Sequence, residues 1–160
     1  MSCKNNVVYA FIDSQNLNLG VRSQGWVLDF RKFRTFLEDQ YNVTKAFLFI
    51  GYISSNASLY SNLRRYGYTI IFKPTLGIRN LKIKGNVDAE LVLYTMDKKD
   101  EYSKAIIVSG DGDFYCLIDY LSKRDKLLKI IAPNKKYSSL LKEFSKDIVL
   151  VSDIREKVER

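Results

Sequence analysis

Histidine is absent from this chain of 160 residues, and cysteine, proline and tryptophan are scarce, at two, two and one. Each shortage removes chemistry. Without histidine there is no Ser-His-Asp or Cys-His nucleophile, no imidazole general base and no histidine-containing zinc site. Cys3 and Cys116 are too few for a four-cysteine zinc site or a disulfide framework, and they suit a reducing, cytoplasmic interior. No run approaches the ~20 apolar residues of a membrane span, and the N-terminus lacks a signal-peptide pattern. Catalysis in such a chain must rest on carboxylates, hydroxyls, lysines, or a metal ion held by oxygen.

What is present is ordinary for a folded protein: 46% hydrophobic and 28% charged residues. The length suggests one domain spanning 1–160, with a core from about 7 to 154. Twenty-six Lys and Arg against 18 Asp and Glu leave a formal charge of +8, which suits a polyanionic partner.

Short apolar runs alternate with segments of helical period. Val7–Ile12, Ala46–Ile50, Tyr68–Phe72, Ala105–Val108, Leu127–Ala132 and Ile148–Val151 read as strands. Helical stripes appear over 29–41, 59–66, from about 87 to 100, from Phe114 to Leu121, and over 138–144. Strands apolar on both faces and joined by helices point to an α/β fold with a mostly parallel central sheet of five to six strands, covered on two sides. In such sheets a site forms beyond the C-terminal strand ends, where strand order reverses.

That rule selects aspartates. Asp13 ends the first strand, Asp111 and Asp113 follow the fourth, and Asp88 opens the helix after the third. If the first and fourth strands are neighbours, these carboxylates share one small volume. Clustered carboxylates repel and persist best around a cation; all-oxygen ligation suits Mg²⁺ or Mn²⁺ and can activate water for in-line attack on phosphorus. The plainer reading of each residue is an N-cap, and of Asn16 an Asx turn. Aspartate recurring where Ser, Thr or Asn would cap equally well favours the group reading.

Three stretches resemble the signature blocks of NYN domains, PIN-like nuclease domains that include a LabA-like group. They are Phe11-Ile12-Asp13-Ser14-Gln15-Asn16-Leu17, Lys84-Gly85-Asn86-Val87-Asp88 and Val108-Ser109-Gly110-Asp111-Gly112-Asp113-Phe114. Order and spacing agree from Val7 to Ile154. The resemblance implies a three-layer PIN-like fold, a divalent-metal site and hydrolysis of RNA phosphodiesters. It implies that Asp13, Asp88, Asp111 and Asp113 form the acidic cluster, with Asn16 and Ser109 orienting ligand or water. Two positions depart from the pattern: Ser14 stands where Gly is common, and Tyr94 where many members carry Asp, with Glu90 one turn earlier.

Between Lys73 and Val87 lie Lys73, Arg79, Lys82 and Lys84 and no acid. This basic stretch beside the aspartates is the expected grip on a phosphate backbone; its alternative is a solvated loop. Arg64-Arg65 and Lys123-Arg124-Asp125-Lys126 sit at helix ends, where they suit the macrodipole. Most aromatics fall on core faces, and Tyr52, Tyr60 and Tyr115 are expected to be exposed. Trp26 is expected to anchor the loop after the first strand, and Cys116 to lie in the core. The leading expectation is a metal-dependent ribonuclease acting on single-stranded RNA. An RNA-binding adaptor that has lost activity remains open. So does a phosphotransfer domain, although only one acid ends the first strand. With little chain left for a recognition module, specificity is expected from the chain's own loops, a homodimer or a partner protein, with no membrane involved.

Overall fold

Every residue of strand β1 (Val8–Asp13) is buried, and its side chains divide between two apolar clusters. Val8, Ala10 and Ile12 join one cluster, and Tyr9 and Phe11 the other. A strand serving two cores needs cover on both faces, which is the condition for a parallel α/β sheet. The computed structural model, which describes residues 6–51, 54–73 and 86–160, meets that condition. Strands β2 (Val43–Gly51), β3 (Tyr68–Lys73), β4 (Lys104–Val108), β5 (Leu127–Ala132) and β6 (Ile148–Leu150) complete a six-stranded sheet in the order β3-β2-β1-β4-β5-β6. All five pairings are parallel.

Helices α1 (Ser14–Arg22), α2 (Phe30–Tyr41) and α3 (Ala57–Arg65) cover the first face with Leu17, Val21, Phe33, Leu37 and Leu63; the short α6 (Arg155–Val158) adds Val158. The other face receives α4 (Asn86–Asp97) through Leu91 and α5 (Tyr115–Lys123) through Leu117, Ile118 and Leu121. A 3-10 stretch, Ser139–Asp147, adds Leu141 and Phe144 to that layer. Truncating a fully buried ring such as Phe11, stacked on Phe47 at 5.3 Å, to alanine should cost about 3–5 kcal/mol.

The strand order reverses between β1 and β4, and these two strands are neighbours, with Ile12 opposite Val108. A response-regulator-like sheet reverses beside its third strand instead, so the phosphotransfer reading loses its scaffold. Four local expectations are corrected. Helix α1 lies where no helical stripe stood out, because only Leu17 and Val21 bury an apolar side chain in it. Residues 139–147 wind as 3-10 turns with non-helical φ/ψ at Phe144. Tyr60 is buried, its hydroxyl donating to the Gly51 carbonyl at 3.2 Å. Cys116 is exposed, being off the stripe that carries Leu117, Ile118 and Leu121 inward. Trp26 is buried as expected, with the Arg155 guanidinium 5.1 Å from its ring centre.

Candidate functional site at the β1–β4 reversal

At Asp13 the chain passes from β1 into α1, and the residue serves both elements. Its backbone is extended, and its Oδ1 accepts the Asn16 amide N–H at 3.2 Å, satisfying one orphan donor of the helix. Its Oδ2 accepts the Ser109 hydroxyl at 3.4 Å from beyond the end of β4. Both groups are buried: Asp13 retains 5% of its surface and Ser109 1%. One hydroxyl has one proton to give and lone pairs to accept. Ser109 Oγ gives to Asp13 and accepts the Asp111 N–H at 3.1 Å.

The second tie runs the other way. Asn16 Oδ1, on the first turn of α1, accepts the Gly110 N–H at 2.9 Å. Gly110 runs close to Tyr137, whose Cβ would stand 3.1 Å from a Cβ placed there and have to give way, and its carbonyl accepts the Ser138 N–H at 2.9 Å. Asp111 then caps the Gly112–Phe114 turn, its Oδ1 accepting the Asp113 N–H at 2.9 Å. Asp111 is half-buried and Asp113 exposed. The capping reading of Asp13 and Asp111 therefore holds, and the Asp111 cap engages Oδ1 alone among the described residues.

Among the sequence-selected residues, Asp13, Asn16, Ser109 and Asp111 are thus brought into one hydrogen-bonded group. Asp113 joins it through its backbone. Asp88 is the third residue of α4, a helix that packs against β1, β2 and the Gly112–Phe114 turn; its side chain lies outside the described residues. The side chain of Lys73 lies outside them too, as do Arg79, Lys82, Lys84 and Tyr52. Glu90 is half-buried on α4. Tyr94 packs its ring edgewise on Phe49, 5.6 Å between centres, so an aromatic contact replaces an acid at that position.

Among the described residues no three acidic or cysteine side chains gather closely enough to hold a metal ion by themselves. The donor set that is present, carboxylates and a hydroxyl, is the all-oxygen chemistry that a hard divalent cation takes. The ion pairs among the described residues lie elsewhere and include neither Asp111 nor Asp113. A larger cavity, of about 580 Å³, follows the surface of α2 past Phe36 and Lys157, away from these carboxylates. One of about 320 Å³ opens directly beside Asn16 and Gly110 and takes in Lys136 and Tyr137. Those last two residues were not selected from the sequence. The strand-end rule reaches them, since they follow β5 within five residues.

No helix among the described residues is long and apolar enough to cross a membrane. The crystal structure of a protein of unknown function from Vibrio parahaemolyticus superposes on the fold with a TM-score of 0.84 at 21% identity, covering 100% of this chain and 99% of that one. In sequence the chain is 22% identical over 161 residues to the low amplitude and bright protein LabA of Synechococcus elongatus, an alignment covering 94% of this chain and 86% of the relative. Residues 7–152 match the NYN domain, so the loop that joins Asp13 to Asp111 lies within the matched span, and the chain belongs to this PIN-like nuclease family.

Proposed function

We propose that the chain is a divalent-metal-dependent ribonuclease that hydrolyses phosphodiester bonds of single-stranded RNA. The observation that carries this reading is the link between two neighbouring strand ends, in which the Ser109 hydroxyl donates to the buried Asp13 carboxylate and accepts the backbone N–H of half-buried Asp111. Asp13, Asp88, Asp111 and Asp113 are the carboxylates assigned to Mg²⁺ or Mn²⁺, with Glu90 as an outer acid. When bound, such an ion neutralises phosphoryl charge and lowers the pKa of water. Ser109 fixes the rotamer of Asp13, and Asn16 fixes the Gly110 backbone, so the carboxylates are held before substrate arrives. Lys73, Arg79, Lys82 and Lys84 are assigned to the phosphate backbone.

The test is cleavage of a labelled single-stranded oligoribonucleotide with Mn²⁺, with Mg²⁺ and with EDTA. Asp13→Asn and Asp111→Asn should each lower the metal-dependent rate by about a hundredfold or more while the circular dichroism spectrum is kept. Cleavage by both variants at the wild-type rate would overturn the site. Tyr94 packed on Phe49 favours a second reading, an RNA-binding adaptor without turnover. In that case EDTA leaves RNA affinity intact and added salt weakens it, whereas turnover by the wild type rules the adaptor out.

A further inference from the structure

The chain leaves β5 through Pro133-Asn134-Lys135-Lys136-Tyr137, and this segment is fixed at both ends. At one end α1 meets it without space for a side chain: a Cβ on Gly20 would stand 2.4 Å from Pro133 Cγ. Asn134 Nδ2 donates to the Gly20 carbonyl at 3.0 Å, and its Oδ1 accepts the Lys136 N–H at 2.8 Å. At the other end Ser138 is bonded to Gly110, which sets Tyr137 against the acidic loop. Lys135 and Lys136 are exposed between these anchors.

Two cavities meet along this segment. The inner, about 320 Å³, begins at Asn16 and Gly110, has exposed Leu19 and half-buried Tyr137 on its walls, and is lined by no acid. The outer, about 280 Å³, shares Ser23, Asn134 and Lys136 with it and continues past Lys135, with Asp153 its one acidic lining residue. Together they form a groove that starts where Asn16 is bonded to Asp13 and runs outward to the end of β6. Adjacent cations, side-chain amides and an aromatic face beside a basic track are the chemistry that takes phosphates and unstacked bases. An acidic peptide would use the lysines and leave Tyr137 and Leu19 without a planar partner.

We infer that this groove carries the RNA strand on one side of the scissile phosphate, with Lys135 and Lys136 on consecutive phosphates and a base stacked on Tyr137. The inference rests on the ribonuclease reading and gives that site a direction for its substrate. The mouth of the groove is held by the same Asn16–Gly110 bond that orders the acidic loop, so strand and metal site are aligned by one piece of backbone.

Fluorescence anisotropy of the full chain with a short labelled oligoribonucleotide in EDTA tests the groove, and cleavage in Mn²⁺ is measured in parallel. The Lys135→Ala/Lys136→Ala double variant should bind about tenfold more weakly, and the slope of log affinity against log salt should flatten by about 1.4. Tyr137→Leu keeps an apolar contact yet should lose about tenfold in affinity for the intact oligomer and nothing for an abasic one. If the variants bind as the wild type does while the wild type cleaves RNA, the groove is overturned and the ribonuclease stands. If they lose binding while the wild type binds RNA without cleaving it, the groove stands and the ribonuclease fails. Poly-glutamate displacing RNA from the wild type as readily as unlabelled RNA does would reduce the groove to a general polyanion face and overturn the assignment. Absence of RNA binding by the wild type overturns both.

Discussion

At the N-terminal edge of the sheet, Lys126 donates to the carbonyls of Lys99 and Tyr102 at 2.8 and 2.6 Å, and the Tyr102 hydroxyl donates to the Thr95 carbonyl at 2.9 Å. Tyr9 donates to Glu101 and Lys104 pairs with Asp125 at the same edge. At the C-terminal edge, Asp13 and Asp111 each accept from a backbone N–H, Asp13 accepts the Ser109 hydroxyl as well, and neither Asp111 nor Asp113 has an ion-pair partner among the described residues. The first edge closes its circuit of donors and acceptors inside the protein. The second carries the carboxylates of Asp111 and Asp113 with no cation paired to them among the described residues. Polar groups at the two ends of one sheet therefore have two meanings. Matched groups hold the fold, and a surplus of one sign marks where something from outside is to be bound.

The largest separation of the two edges comes with alkali. Tyr68 begins β3 with its hydroxyl on the Phe30 carbonyl at 2.7 Å, and burial raises its pKa well above the ordinary 10.0. Burial raises Tyr102 likewise, and it raises Tyr9, where the hydrogen bond and negative charge of Glu101 add to it. A tyrosine whose folded pKa is raised contributes stability that is complete below the unfolded value and is lost as pH climbs through the folded value. Lys126, lowered by burial, imposes a penalty that fades as pH rises toward the ordinary lysine value of 10.5, so it does not oppose the loss the tyrosines bring at higher pH. Raising pH beyond about 10 should therefore unfold the protein cooperatively, with tyrosinate absorbance and helical ellipticity changing together. Free titration of these tyrosines on a folded chain would remove the distinction between the edges.

Next in size is Lys126→Met, which leaves the carbonyls of Lys99 and Tyr102 without their donor. It should cost about 3 kcal/mol in urea unfolding. RNA cleavage per folded molecule should not change, because the N-terminal edge takes no part in the reaction. A drop in the metal-dependent rate comparable to that of Asp111→Asn would show that the edges are coupled and that the division is wrong.

The sequence states its strands plainly because their burial is two-sided. Phe11-Ile12 and Ile106-Ile107-Val108 have no polar face to confuse the period. Helix α1 was illegible for the reverse reason: Gly20 sits inside it at a cost in helix propensity, retained because Pro133 leaves no room for a side chain. Cys116 and Tyr60 were misplaced by adjacency to a stripe. Cys116 is two residues from Phe114 and so off its face, whereas Tyr60 is three from Leu63 and on the same face. The strand-end rule found Asp13 and the Ser109–Asp113 loop, and the bonds between them confirm that the two lie together. The same rule reaches Lys136 and Tyr137, but in the sequence the acid-free run from Lys73 to Lys84 is the more conspicuous group of cations. No spacing in the sequence shows that Asn134 would fold back on Gly20 and bring its neighbours to the acidic loop.

The smallest effect is the most direct probe of the C-terminal edge. An ion that binds the folded chain and not the unfolded one adds RT ln(1 + [L]/Kd), about 1.4 kcal/mol at ten times Kd. Mn²⁺ should therefore raise the melting midpoint by about 3–5 °C, reversibly by EDTA. Asp111→Asn should lose most of that increment without losing stability in EDTA, because its capping oxygen survives in the amide while a charge is removed from the acidic loop. Lys126→Met should start lower and keep the increment in full. Exposed acids elsewhere, such as Asp100 and Asp125 at the N-terminal edge, offer the ion only scattered charge. If Mn²⁺ stabilises Asp111→Asn as much as the wild type, the ion is bound by such acids, and the surplus of carboxylates beside β1 and β4 has lost its explanation.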